Sequence, residues 1–257
     1  MEEFLAERAP DVAFYSEDRG LVEPAREAAW VLVVDPIDGT RPAMAGFEAA
    51  CISVAAAPLE SEPAMGDVEV GCIVEIKSGR AFVAERGAGI DPAPVLSANT
   101  DVGRMFWSYG LRGRPARVIA EVLGDLIDVS SVGGATFDLG SATYDMTRIA
   151  TGQLDAYVEP GPRLVEDVPG MRERFEAVGG GAVLNNSPYD LAAAVLCLEE
   201  AGAVVTDAGG GTLAGRPLLG SGHDYQMSCV ASANQALHSQ ILEHIDRGIG
   251  RVLDRAI

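Results

Sequence analysis

The sequence predicts a mixed α/β (α+β) fold, and three observations carry that expectation. Short apolar runs separated by turn residues crowd the first half of the chain. Segments with helical spacing dominate the second half, and two of them stop at a glycine. At 257 residues and 48% hydrophobic composition, the chain is long enough to bury a sizeable core, as one domain or as two small lobes packed together.

Taken in order, strands are expected over Val12–Ser16, Trp30–Val34, Cys51–Ala57, Val68–Ile76, Ala81–Ala84 and Arg104–Tyr109. Some of these alternate apolar and polar residues and others are continuously apolar. A helix is expected over Ser141–Thr151, stopped by Gly152, and another over Leu191–Ala201, stopped by Gly202. Strands return at Ala203–Thr206 and Met227–Ala231, and Asn234–Leu253 has the period of an amphipathic helix. Glycine runs at 179–181 and 209–211 mark loops. The whole of 1–257 reads as a single domain; a division into two lobes falls between Asp91 and Val102, giving about 1–95 and 96–257.

The net charge is -19, from 38 acidic against 19 basic residues. That excludes a nucleic acid polymer as a natural partner and disfavours an anionic membrane surface, since both attract Lys/Arg faces. An acidic protein acting on an anionic substrate needs a local positive centre, and a divalent cation supplies one. Cys51, Cys72, Cys197 and Cys229 form no C-x-x-C pair and sit in apolar runs, as buried free thiols do. The chain shows no signal peptide and no uninterrupted apolar stretch of membrane-spanning length, so a cytoplasmic protein is expected.

The run Asp35-Pro36-Ile37-Asp38-Gly39-Thr40 follows the apolar strand Trp30–Val34 directly. Two carboxylates three residues apart at a buried strand end repel each other unless a cation lies between them. Their hard oxygen ligands suit Mg²⁺. Gly39 permits a tight turn, and Thr40 opens a short helix whose N–H groups could cradle phosphate. The same residues also fit an ordinary turn in which an Asp side chain caps its own backbone. Two further acids stand at element boundaries. Glu17 follows the strand ending at Ser16, and Asp190 precedes the helix Leu191–Ala201, where it also fits a simple N-cap.

Four blocks, in order, resemble the inositol monophosphatase family of Mg²⁺-dependent, lithium-sensitive type phosphatases, which includes fructose-1,6-bisphosphatase relatives. They are Tyr15-Ser16-Glu17-Asp18; the Trp30–Thr40 stretch containing VLVVDPIDGT; LGSATYDMTRIATGQLDAYVE at Leu139–Glu159; and YDLAAAVLCLEEAGAVVTD at Tyr189–Asp207. With the turn Glu85-Arg86-Gly87 they span nearly the whole chain. The resemblance implies a layered αβαβα sandwich of the sugar phosphatase type, a small phosphorylated metabolite as substrate and a second copy of the chain as partner. It implies that Glu17, Asp35, Asp38, Asp190 and the carbonyl of Ile37 bind two or three Mg²⁺ ions. It further implies that Gly39 and Thr40 hold the phosphate through their N–H groups, and that Thr40, Glu17 and Asp38 serve catalysis by a metal-activated water. Gly140, Ser141 and Ala142 match a helix start beside the substrate, and Glu159 matches an acid that touches it. Ser141 is also a natural helix N-cap. His223, His238 and His244 lie outside these blocks and are expected at the surface or in the core.

The chain departs from the family pattern in four places. Only sixteen residues precede Glu17, and most of the usual N-terminal helical pair with its Thr-x-x-Asp is missing from them; either the natural start lies upstream or the active site is weakened. Gly161–Pro188 is about two dozen residues longer than usual and reads either as a substrate-selecting lid or as an unrelated surface excursion. Tyr189 replaces the usual Trp, and Arg41-Pro42 replaces Asn-Phe, which places Arg41 to pair with a second phosphate or a carboxylate. The expected substrate is a small sugar or polyol phosphate resembling inositol 1-phosphate. The alternatives are fructose 1,6-bisphosphate, a 3′-phosphonucleotide, histidinol phosphate, or a metal-binding homologue that has lost catalysis.

Overall fold

A computed structural model of the chain describes residues 2–23 and 27–256. Helix α1 (Glu2–Arg8) leads into β1 (Val12–Ser16), β2 (Gly20–Val22) and β3 (Trp30–Asp38). The short helix α2 (Thr40–Met44) follows, then β4 (Cys51–Pro58), β5 (Val70–Glu75), β6 (Ala81–Glu85) and β7 (Gly89–Asp91). These strands form one sheet in the order β2-β1-β3-β4-β5-β6-β7, antiparallel except for the β1–β3 pair.

The second half runs β8 (Phe106–Tyr109), α3 (Ala116–Ser130), β9 (Ala135–Phe137), α4 (Ala142–Ala150) and β10 (Ala156–Glu159). It continues with α5 (Gly161–Asp167), α6 (Met171–Val178), α7 (Pro188–Glu200), β11 (Val204–Thr206), β12 (Cys229–Ser232) and α8 (Gln235–Ala256). Its strands form a five-stranded sheet in the order β11-β12-β10-β8-β9.

Helices α4 and α7 lie between the two sheets. Every residue from Leu191 to Leu198 is buried, which explains why that run is apolar on all sides rather than on one stripe. Helix α7 approaches β5 so closely that a Cβ on Gly71 would sit 2.8 Å from the Ala193 carbonyl oxygen. One core therefore joins Val33, Ala55, Ile73 and Phe82 of the first sheet to Met146, Ile149 and α7, and then to Tyr157 and Ala231 of the second sheet. Period-2 alternation sends the neighbours of Tyr157, Ala156 and Val158, to the opposite face. There, with Trp107 and Val230, they pack on α3 and α8 and on Leu164 and Phe175 of α5 and α6.

The layers thus run sheet, helices, sheet, helices. On the outer face of the seven-stranded sheet, register places Trp30, Ile52, Val70 and Val83 together, and they remain 36–42% exposed. Among the described residues, α1 is the one helix that precedes this sheet.

Several boundaries differ from the sequence expectation. Strand β3 runs on to Asp38 instead of stopping at Val34, and β8 begins at Phe106 after a 3₁₀ turn over Val102–Arg104. Helix α7 starts three residues before Leu191 because Ser187 and Pro188 supply its cap and first position.

Candidate active site and metal centre

The end of β3 bends around an irregularity in its ladder. Asp35 pairs with Ser53 and Asp38 with Cys51, so the strand spends three residues against two of its partner. Simple alternation would send residues three apart to opposite faces; the extra residue turns both carboxylates to the same side. Pro36 has no N–H to lose and suits the unpaired stretch. The Ile37 N–H donates to Asp35 Oδ1 at 2.9 Å, which holds the turn from within. Gly39 then adopts φ 89°, and a Cβ there would run into the Ala49 carbonyl, so only glycine carries the chain into α2. Thr40 Oγ1 donates to the Ile37 carbonyl at 3.0 Å.

Two helix starts complete the cluster. Asp38 Oδ2 accepts from Ser141 Oγ and from the Thr143 N–H, each at 2.7 Å. Ser141 is at the same time the N-cap of α4, accepting from the Tyr144 N–H at 3.1 Å. Asp190 is not an N-cap: it stands at the third position of α7 and accepts from the Ser187 N–H at 2.6 Å. Thr143 Oγ1 donates to the Asp190 carbonyl at 2.7 Å, tying α4 to α7 beneath the carboxylates.

Carboxylate oxygens of Asp35, Asp38 and Asp190 all lie within 4.8 Å of one another. Burial, reinforced by Asp38, pushes the Asp35 carboxyl up to about 7. Burial also raises Asp38, and it raises Asp190 well above the carboxylate range with Asp38 and Asp35 adding to the effect. Three acids packed this closely do not all ionise without a cation between them. The donor set is all hard oxygen and opens onto a cavity, which fits a Mg²⁺-like ion. Glu17, exposed at the end of β1, and Ile37 line the same cavity, but Glu17 lies outside the three-acid cluster.

The cavity holds about 410 Å³. Of the residues expected at the substrate, Gly39, Thr40, Gly140, Ser141 and Ala142 line it. Arg41 does not: it is exposed on α2 and is not among the residues that line the cavity. Glu159 does not either. It has no accessible surface, forms an ion pair with Arg114, and accepts from the Gly161 N–H at 2.8 Å. Arg114 lines the cavity in its place.

The sequence reading missed Tyr109–Arg112 and Arg114, and the buried Asp145, Tyr157 and Gln226, all of which also line the cavity. Asp145 could have been found, since it lies one helical turn after Ser141 on the same face. The long stretch Gly161–Pro188 divides in two. Leu164, Val168, Met171 and Phe175 join the second core, while Glu166, Asp167, Arg172, Glu173 and Arg174 face solvent. Residues 182–187 then return to line the cavity. His238 is buried between Ser232 Oγ and Thr206 Oγ1, each at 2.9 Å, and none of the three histidines lines the cavity. All four cysteines are free. Among the described residues, no helix is long and apolar enough to cross a membrane.

Comparison with known proteins agrees with this geometry. Among curated relatives, the chain is 27% identical over 247 residues to Nus factor SuhB of Vibrio cholerae, covering 92% of this chain and 74% of that one. It is also 27% identical to the fructose-1,6-bisphosphatase/inositol-1-monophosphatase of Methanothermobacter thermautotrophicus, over 91% of this chain and 75% of that one. Among solved structures, the extragenic suppressor protein suhB of Bartonella henselae superposes with a TM-score of 0.71 at 21% identity, covering 96% of this chain and 81% of the other. The Thermotoga maritima IMPase gives 0.68 at 18% identity, with 98% and 80% covered. The profile of the inositol monophosphatase family matches residues 1–249. The chain belongs to the inositol monophosphatase family and is, as a member, a phosphoric monoester hydrolase.

Proposed function

We propose that the chain is a Mg²⁺-dependent phosphomonoesterase that hydrolyses the phosphate ester of a small sugar or polyol. The observation that carries this reading is the cluster of three carboxylates within 4.8 Å that lines the cavity. Asp35, Asp38 and Asp190 hold the metal in this reading, and Glu17 and the Ile37 carbonyl add ligands from the rim as two or three ions bind. When bound, Mg²⁺ supplies charge neutralisation, polarisation of the phosphoryl oxygens and a lowered pKa for an attacking water.

The remaining work falls to the chain. Ser141 Oγ and the Thr143 N–H fix the Asp38 carboxylate, so it meets its ligand without reorganising. Thr40 donates its hydroxyl proton to Ile37 O. Its oxygen lone pairs therefore remain to accept from a water and aim it at phosphorus. The N–H groups of Gly39 and Thr40 face the phosphate in this arrangement. The four free cysteines suit a reducing cytoplasm. A homodimer is part of the proposal, supported by the apolar groove where Phe47, Phe106 and Phe137 stand exposed.

Phosphate release from a panel of sugar and polyol phosphates, with Mg²⁺ and with EDTA, tests the reading. Turnover that needs Mg²⁺ and is lost in Asp38→Asn is the expected result. A panel with no turnover, or an Asp38→Asn variant with full activity, refutes it.

A further inference from the structure

Resting on the phosphatase reading above, we propose that the substrate carries a second anionic group, a phosphate or a carboxylate, and that Arg112 recognises it. The sequence pointed to Arg41 for such a role because it adjoins the metal motif. In the structure Arg41 is exposed and does not line the cavity, whereas Arg112 does.

Three features single out Arg112. Its side chain is exposed on the cavity wall and has no acidic partner among the described residues. Of the two arginines that line the cavity it is the one without a carboxylate partner, since Arg114 is paired with Glu159.

The loop that presents Arg112 is fixed from below. Arg114 is buried, ion-paired with Glu159, and donates from Nη1 to the Arg112 carbonyl at 2.6 Å. The path over Glu159 requires Gly110, where a Cβ would sit 2.6 Å from Glu159 Oε2, and Gly113, which takes φ 71°. The backbone of Arg112 is therefore clamped while its guanidinium stays free. That is an arrangement suited to a ligand.

The third feature is the charge of this wall. The Glu159 carboxylate is withdrawn beneath the surface and neutralised by Arg114, so it neither repels an anion nor offers an acceptor to a sugar hydroxyl. Arg112 is left as the unpaired cation of the loop, on a wall to which Asp138 also contributes. The cavity, at about 410 Å³, exceeds what one phosphate fills and falls within the range of small-molecule sites. A neutral polyol tail would give the guanidinium nothing to bind, whereas a second phosphate or a carboxylate would take a charge-assisted, fork-like pair of hydrogen bonds.

The test uses three matched substrates in Mg²⁺: glucose 1-phosphate, glucose 1,6-bisphosphate and glucuronate 1-phosphate. Wild-type protein should favour one or both doubly anionic substrates by about tenfold or more in kcat/KM, chiefly through KM. R112Q should collapse that preference towards one, and R112K should restore part of it. The substrate that wins distinguishes phosphate from carboxylate as the second group. Equal rates for all three substrates, or an R112Q variant that keeps the preference, overturn the proposal while leaving the phosphatase reading intact. If none of the three is hydrolysed, calorimetric binding decides. Tighter binding of glucose 1,6-bisphosphate than of glucose 1-phosphate, lost in R112Q, keeps the anion site and drops the phosphatase reading; equal binding removes both.

Discussion

Replacing Asp35 by asparagine should make the metal-free protein more stable while destroying its response to Mg²⁺. Burial raises the folded carboxyl from 3.8 to about 7. At about 1.4 kcal/mol per unit, ionising it costs the metal-free fold on the order of 4 kcal/mol above pH 7. The sign follows from proton binding. The folded carboxyl holds its proton more tightly than the unfolded chain does, so this stability is present at low pH and is lost as pH rises through about 7. Asparagine carries no charge, and its carbonyl can keep the bond that Asp35 Oδ1 takes from the Ile37 N–H. Allowing about 1–2 kcal/mol for an imperfectly paired buried amide, the net gain is about 2–3 kcal/mol, or about 5–10 °C for a chain of this size. The assay is thermal melting at pH 8 in EDTA and again in Mg²⁺, with a repeat at pH 5. Asp35→Asn should melt higher in EDTA at pH 8, the gap should narrow at pH 5, and Mg²⁺ should raise only the wild type. A variant that melts no higher than wild type in EDTA at pH 8, or that gains as much from Mg²⁺, refutes the reasoning.

Ser141→Ala removes both the bond to Asp38 and the cap of α4; it should lose about 1–2 kcal/mol by denaturant melting and weaken Mg²⁺ binding about 10–100-fold by calorimetry. Gly39→Ala combines a left-handed backbone with a collision against the Ala49 carbonyl and should cost at least about 3 kcal/mol, whereas Gly46→Ala, also at positive φ but in open space, should cost about 1 kcal/mol. Ile73→Ala, in the shared core, should cost about 2–5 kcal/mol, and Ile52→Ala, on the open sheet face, under about 1 kcal/mol. Equal costs at Ile73 and Ile52 would mean that the outer face is covered.

Much of the site was legible because its acids lie at element boundaries. Asp35 and Asp38 follow an apolar strand and Asp190 stands at a helix start, so strand and helix signals marked them as candidates, and the family resemblance joined them into one site. That the two β3 acids face one way was not legible from alternation, since it depends on a ladder irregularity that only Pro36 hinted at. Helix α3 was overlooked although Val118, Ile119, Val122, Leu123 and Leu126 repeat at helical spacing behind Pro115. Strand β10 escaped for a different reason: all four of its residues are buried, because helices cover both faces of its sheet, and so it shows no alternation. The exchange of Glu159 for Arg114 at the cavity had no sequence signal, being a contact between residues 45 apart, from 114 to 159. Adjacency to the motif did not bring Arg41 to the cavity lining: it stands exposed in the first turn of α2.

Each acid of the cluster is held by a donor from a different element: Asp35 by the Ile37 N–H after β3, Asp38 by Ser141 and Thr143 at the start of α4, and Asp190 by the Ser187 N–H at the start of α7. The carboxylates therefore join the first sheet to the helices sandwiched against it, and their mutual repulsion acts on that same junction. Burying three acids there is unfavourable by itself and persists because α7 is packed on all sides between the two sheets. A cation that binds the folded cluster but not the unfolded chain reverses the sign of this local strain and adds RT ln(1 + [L]/Kd) to the stability of the fold. Metal affinity and the packing of α4 against α7 are thus two measures of one coupling. A core change that loosens α7, far from any ligand, weakens metal binding for the same physical reason that metal binding tightens the core.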